Sequence, residues 1–274
     1  MIFKDKTVVI TGGSEGVGAA AARKFADAGA RLVLVARGRK KLEAIAAELR
    51  DRTQVEIFPM DVADAEACAN LLKKANFEFG RIDVLVNNAG YHERGLVESV
   101  PAEELGRIID VNLRAPIVLT RLALPYLRDA GGGAIVNVGS LAGRTPVPGS
   151  AVYSASKSGL RAFTHALAEE LRGQGIKVAL VAPGPIDTGF IMSDIDRVSD
   201  MTFSQPLSTA EDVAQAILDL CGNRVREQAM PWLSGVLTTL VYVAPWLGRA
   251  VKPMLERKGQ RTKRALKAKL EQSR

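Results

Sequence analysis

Residues 7–18 constrain the fold more than any other stretch. Thr7 to Thr11 is a short apolar run rich in β-branched residues, closed by Gly12 and Gly13. It reads as a buried parallel strand. A glycine turn follows, Gly12-Gly13-Ser14-Glu15-Gly16-Val17-Gly18, and then an alanine-rich helical run over 19–28. Strand, glycine turn and helix in this order place a phosphate on a helix N-terminus. Gly12 permits the tight turn, Gly16 a close backbone approach and Gly18 close packing of helix on strand.

The rest of the chain repeats this alternation. Strands are predicted over 31–36, 55–60, 82–86, 134–138 and 176–181, with a short seventh over 227–230. Helices are predicted over 64–79, 101–113, 116–130, 150–172 and 209–221, with Asp64 as an N-cap. The expected fold class is α/β, a doubly wound parallel sheet with helices on both faces. It occupies residues 1–230 as one domain, followed by a helical extension over 231–274. Thr188 opens an irregular segment reaching about residue 208, long enough for a compact domain that it is expected to be functional.

The 274 residues are 47% hydrophobic and 24% charged, which suits a globular chain with a sizeable core. The two cysteines, Cys68 and Cys221, fall in predicted helices, so a reducing, cytoplasmic compartment is expected. No signal segment opens the sequence. The net charge is +7, and residues 252–274 carry nine Lys/Arg against two Glu, leaving the body neutral. A neutral body with a basic tail argues against a nucleic-acid partner. No His, Cys and acid cluster has metal-ligand spacing.

Candidate site residues gather at predicted strand ends. An acidic residue at the end of the second strand would bind a ribose 2′-hydroxyl and repel a 2′-phosphate. Here the position is Ala36, followed by Arg37, which favours NADP over NAD. Glu15 is an opposing charge nearby. Arg39, Lys40 and Lys41 read as the solvated start of the next helix. Asp61-Val62 ends the third strand, where a carboxylate can accept from an adenine amino group. Asn87-Asn88-Ala89-Gly90 closes the fourth strand, and Asn112 lies near a helix junction. Ser140 follows the fifth strand. Tyr153 and Lys157, four residues apart, share one face of a helix, where an ammonium lowers a phenol's pKa. His92 reads as an ordinary loop histidine rather than a substrate contact, and His165 as structural.

With these residues in view, the chain resembles the short-chain dehydrogenase/reductase family in its single-domain branch. The matches are the turn from Thr11 to Gly18, Asp61, Asn87 to Gly90, Asn112, Ser140, Tyr153, Lys157, Pro183-Gly184 and Thr188. The resemblance implies a Rossmann fold and an NADP(H)-dependent enzyme interconverting a carbonyl and an alcohol. It implies Tyr153 as general acid/base, with Lys157 lowering its pKa and holding the nicotinamide ribose. Ser140 would bond the substrate oxygen, and Asn112 would hold a water. Cofactor contacts would come from Gly12, Ser14, Glu15, Gly16, Val17, Gly18, Arg37, Asp61, Val62, Asn88, Ala89, Gly90, Tyr153 and Lys157. Pro183, Gly184, Ile186 and Thr188 would position the nicotinamide end. A homo-oligomer is expected. The substrate is expected to be a fairly apolar ketone, steroid-like or long-chain 3-keto. A 3-oxoacyl-carrier-protein reductase-like enzyme and a non-catalytic NADP-binding protein at a membrane surface are the alternatives.

The glycine-rich end of the final strand, usual in this family, is missing, and the last fifty residues stand outside the resemblance. Residues 228–248 hold no charge. Pro231 and Pro245 bracket an apolar helix of about thirteen residues, roughly 20 Å long and too short to span a bilayer. Three roles are open for it: a cover over the substrate crevice, a subunit contact, or a peripheral membrane anchor completed by the basic tail. The first two are preferred.

Overall fold

The computed structural model describes residues 3–189 and 195–272. Seven parallel strands form one sheet: β1 (Thr7–Thr11), β2 (Arg31–Ala36), β3 (Val55–Pro59), β4 (Val84–Asn87), β5 (Gly133–Val138), β6 (Ile176–Pro183) and β7 (Glu227–Met230). Their spatial order is β3-β2-β1-β4-β5-β6-β7, so the sheet is wound outward both ways from the β1/β4 boundary. The expected doubly wound sheet is the one observed, and residues 227–230 do form its last strand.

The two-residue period of the strands sorts the core. Val8, Ile10, Leu32 and Leu34 face α1 (Gly16–Asp27), α2 (Arg39–Leu49) and a later helix, α7 (Ala210–Gly222). Val9, Val33 and Val35 face the opposite way, onto α3 (Ala65–Phe79), α5 (Ala115–Asp129) and α6 (Ala151–Glu170). Asp64 caps α3 by accepting the N–H groups of Glu66 and Ala67.

The helices expected over 101–113 and 116–130 are one continuous run. Between α4 (Ala102–Ile109) and α5 lies a π-helical turn over Asp110–Arg114. Pro116 sits in the first turn of α5, where a missing N–H is tolerated. The wider turn absorbs the residue that would otherwise break the helix.

The irregular segment after β6 is closed at its base. Ile186 and Ser208 form a parallel bridge, and Ser208 N–H donates to the Pro185 carbonyl at 3.0 Å. Within it a 3₁₀ turn spans Asp200–Ser204, with Phe203 buried beside Ile195 and Val198.

The extension forms two helices, α8 (Trp232–Val243) and α9 (Pro245–Gln272). The bracketing by Pro231 and Pro245 holds, but α8 lies with its small polar residues inward. Ser234, Gly235 and Thr238 are buried, whereas Trp232, Leu237, Leu240 and Val243 face outward. The outward apolar face rules out α8 as a cover laid apolar-side-down over the crevice. α9 instead runs across the 3₁₀ turn at Asp200. Lys263 Nζ donates to the carbonyls of Val198 (2.7 Å) and Asp196 (3.1 Å) and lies 3.4 Å from the Asp200 carboxylate.

A Cβ at Gly259 would lie 1.7 Å from the Asp200 carbonyl oxygen. Gly259→Ala should therefore lift α9 off the turn, at a cost of about 1–3 kcal/mol. Urea unfolding and limited proteolysis within 195–208 check this: the expected result is a lower midpoint and faster cleavage.

Candidate active site

The connections that leave the carboxyl ends of β1 and β4 run to opposite faces of the sheet, at the point where the winding reverses, which is where open α/β sheets bind ligands. A crevice of about 1540 Å³ opens there. Its floor is set by Thr11. That hydroxyl accepts the N–H groups of Asn88 and Ala89, both at 3.0 Å, and donates to the Val86 carbonyl. Asn88 returns its side-chain amide to the Thr11 and Gly12 carbonyls. Its side chain therefore staples the glycine turn to β4.

Gly12 (φ +65°) and Gly16 (φ +52°) occupy the left-handed region, which favours glycine. A Cβ at Gly18 would lie 2.0 Å from the Gly12 carbonyl oxygen, so α1 packs directly on its own turn. Glu15 sits at the N-cap of α1 but its side chain makes no capping hydrogen bond, leaving the first N–H groups of the helix for another acceptor. Thr188 faces this end, 3.5 Å from where a Gly16 Cβ would be. Ser14, Val17, Gly90, Pro183, Gly184 and Ile186 line the same crevice. These features fit a dinucleotide pyrophosphate.

At the adenosine end, Arg37 lines the crevice and is exposed. Lys41, expected to be a solvated helix residue, also lines it and pairs with Glu15 at 2.6 Å. The opposing charge of Glu15 is thus balanced. Asp61 is more heavily engaged than expected: it accepts the Ala63 N–H at 3.0 Å and Arg107 Nη2 at 2.7 Å. Burial raises the Asp61 pKa, but these two bonds and the nearby cations win, and it lies below the usual carboxylate range. An adenine amino group would use the remaining lone pairs. Val62 is buried beside it. Neither Arg107 nor Lys41 carries a sequence signal that separates it from any surface cation.

At the other end, β5 delivers Ser140. The Ser140 hydroxyl accepts the Ala142 N–H at 3.1 Å, which starts a 3₁₀ turn over Leu141–Gly143. This turn lies directly on α6: a Cβ at Gly143 would come within 2.7 Å of the Lys157 backbone. Lys157 is buried, and its ammonium donates to the Val138 carbonyl at 2.8 Å. Burial lowers its pKa to about 8.

Tyr153 differs from the expectation. Burial raises the phenol's pKa, and its hydrogen bond with Ser140 and the Arg94 charge only partly offset that. The Lys157 ammonium lies 5.8 Å from the ring centroid. In this structure desolvation outweighs the nearby cations, so the phenol is held protonated.

Asn112 spends its whole side chain on protein groups. Oδ1 accepts the Tyr91 N–H at 2.8 Å, and Nδ2 donates to the Tyr91 carbonyl and to Ser156.

His92 corrects the sequence reading. Its ring stacks on Tyr153 with centroids 4.2 Å apart and planes 16° from parallel. Burial, reinforced by the charges of Arg94, Lys157 and Arg197, pushes its pKa down to about 3. It is neutral at working pH. The two thiols are inert in comparison: burial pushes Cys68 to about 11 and Cys221 to about 12. His165 pairs with Glu227 on β7 at 2.7 Å, a structural role as expected.

A phosphate cradle and a proton-handling array at two ends of one crevice define a dinucleotide-dependent oxidoreductase. The sequence model of the short chain dehydrogenase family matches residues 6–198. A sulfoacetaldehyde reductase of Chromohalobacter salexigens is 39% identical over 221 residues, covering 77% of this chain and 86% of that protein. An uncharacterized oxidoreductase of Staphylococcus saprophyticus is 35% identical over 229 residues, 83% of this chain and 87% of its own. Among solved structures, a short chain dehydrogenase from Burkholderia cenocepacia in complex with NADP has a TM-score of 0.76 at 31% identity. It covers 83% of this chain and 96% of that one. The chain belongs to the short-chain dehydrogenase/reductase family, enzymes that act on CH–OH groups and their carbonyl counterparts.

The Lys157 pKa makes a stability prediction. The unfolded lysine titrates near 10.5 and the folded one near 8. Between these values the unfolded chain binds the extra proton, so stability rises with pH across that window. Relative to Lys157→Met, the parent should gain on the order of 3 kcal/mol between pH 8 and 10.5. Urea unfolding of both proteins at the two pH values measures it, and a flat difference would contradict the assignment.

Proposed function

We propose that this protein is an NADP(H)-dependent reductase that converts a carbonyl to an alcohol in the crevice described above. The observation that carries this is the array at the end of β5, with Tyr153 bonded to Ser140 and stacked on neutral His92, one helical turn from the buried Lys157. A protonated phenol is the form needed to give a proton to a carbonyl oxygen. Ser140 donates a hydrogen bond to the same oxygen, where negative charge develops. The bound nicotinamide supplies the hydride. Lys157 holds the ribose hydroxyls beside Tyr153, and a water at Asn112, implied by the family resemblance, returns protons through Lys157. Tyr153→Phe should lower kcat by about 10²–10⁴-fold while leaving cofactor affinity almost unchanged.

NADP(H) is favoured over NAD(H) by Arg37 and by Lys41, which neutralises Glu15 next to the cradle. The two structural neighbours bound to NADP share this fold at 31% and 33% identity. Arg37→Ala should weaken NADPH by about 1.5–3 kcal/mol and leave NADH unchanged. Equal losses for both cofactors, read by fluorescence titration, would remove Arg37 from phosphate binding.

The substrate end carries two readings. Leu96, Leu141, Val147, Pro148, Val198 and Met201 form apolar walls that suit a fairly apolar ketone, steroid-like or long-chain 3-keto. Arg94 and Arg197 line the same end and favour a carbonyl compound with an anionic group. The similarity to a sulfoacetaldehyde reductase supports the second reading. NADPH oxidation against a panel containing both kinds separates them. Absence of turnover with every carbonyl would support a non-catalytic NADP-binding protein. A homo-oligomer, drawn from the family resemblance, and a cytoplasmic location, drawn from the two unpaired cysteines, belong to the same proposal. No helix among the described residues is long and apolar enough to cross a membrane.

A further inference from the structure

The face that α8 turns outward has no role in the chemistry. Trp232, Leu233, Val236, Leu237 and Leu240 recur at the spacing of one helical face, all exposed, and Val243 extends the row. Trp232 is 73% exposed, Trp246 62% and Val243 77%. A patch of this kind on a helix that is already docked marks a surface that meets something else. The docking is firm. Arg144 donates to the Gly235 carbonyl and to Thr239, and it pairs with the half-buried Glu227 of β7. A Cβ at Gly235 would sit 2.3 Å from that of Ala229, so α8 lies directly on β7.

The charge beside the patch selects the occupant. From Arg249 to Arg264 there are seven basic residues and one acid, Glu256. Arg249, Lys252, Arg257, Lys258, Arg261 and Arg264 are exposed, at the end of the patch. A second copy docked in parallel would bring these like charges together, and one docked antiparallel would oppose them with the uncharged stretch 228–248, so neither supplies an acidic partner. An anionic lipid surface complements them. Trp232 on the apolar face, and Tyr242 and Trp246 exposed at its C-terminal end, are side chains of the kind that settle at the headgroup level.

We propose that the outer face of α8 and the first turns of α9 form a docking surface for anionic lipid, with α8 lying in the plane of the interface. Buried apolar area and headgroup attraction act together, as reversible attachment requires. The proposal does not rest on the assigned reaction, because its readout needs no substrate.

The test uses the full chain with vesicles of phosphatidylcholine alone and of phosphatidylcholine mixed equally with phosphatidylglycerol, at low and high salt. The protein should sediment with the mixed vesicles at low salt and be released by high salt. Lys252→Ala and Lys258→Ala should each lower partitioning roughly fivefold. Leu237→Glu with Leu240→Glu should abolish it while leaving the thermal midpoint unchanged, since both positions already face water. The two lysine variants keep the test valid even if the double variant unfolds. Failure to sediment with either vesicle at low salt overturns the proposal. So does a stable dimer, detected by light scattering, that the leucine substitutions dissociate, because the patch would then be a subunit contact.

Discussion

The geometry of the crevice depends on one buried cation. Lys157 reaches from α6 to the carbonyl of Val138, the last residue of β5, at 2.8 Å. Burying an ammonium is costly, and a single carbonyl does not fully compensate it, which is why its pKa falls to about 8. The bond nonetheless fixes α6 against the strand that delivers Ser140. Tyr153 lies one turn earlier on the same helix face. Gly143, with no side chain, lets the turn after Ser140 lie against the Lys157 backbone, and Ser158 secures it by donating to the Gly143 carbonyl. Three groups from two elements are thereby held in register by contacts that involve no ligand.

Beneath that array runs a buried polar chain. Asn87 at the end of β4 donates to Thr120 and to Asn137 of β5, and Asn137 donates to Thr164 of α6. Thr164 in turn bonds the Leu160 carbonyl. Polar side chains in a dry interior cost stability unless they are paired, and once paired they specify one arrangement. This chain links β4, β5, α5 and α6 just below the crevice. The Thr11–Asn88 staple does the same for β1 and β4 at the cradle. The apolar faces of the sheet supply the burial, and these polar links fix the register of strand ends that apolar packing alone leaves free.

Periodicity and punctuation carried most of this fold into the sequence. The β-branched runs, the glycine turn and Asp64 mark elements through local sterics and capping, so they are visible one segment at a time. Ser140, Tyr153 and Lys157 were legible for another reason: the chemistry proposed for them restricts residue type and spacing together. What the sequence hid depends on contacts between distant segments. His92 is a loop histidine until folding lays its ring on Tyr153. Lys41 belongs to a helix start until that start meets Glu15, and Arg107 is a helix cation until it meets Asp61. The raised pKa of Tyr153 is hidden for the same reason, because a pair four residues apart reports proximity of charge but not depth of burial.

The C-terminal extension shows how composition alone misleads. An uncharged helix beside a domain invites the assumption that its apolar side faces in. Here the inward side is Ser234, Gly235 and Thr238, because close approach to β7 admits only small residues. The basic tail is likewise not one surface. Lys263 and Lys267 fold back onto Asp196, Val198 and Asp200, whereas the cations before them face water. The two halves of the extension therefore hold the two walls of the substrate end, α8 through Arg144 and α9 through Lys263. The cradle is built from residues 11–18 and 86–90, with Thr188 facing it, and receives no such hold. A force applied to α8 and α9 would thus reach the substrate walls before the cofactor cradle.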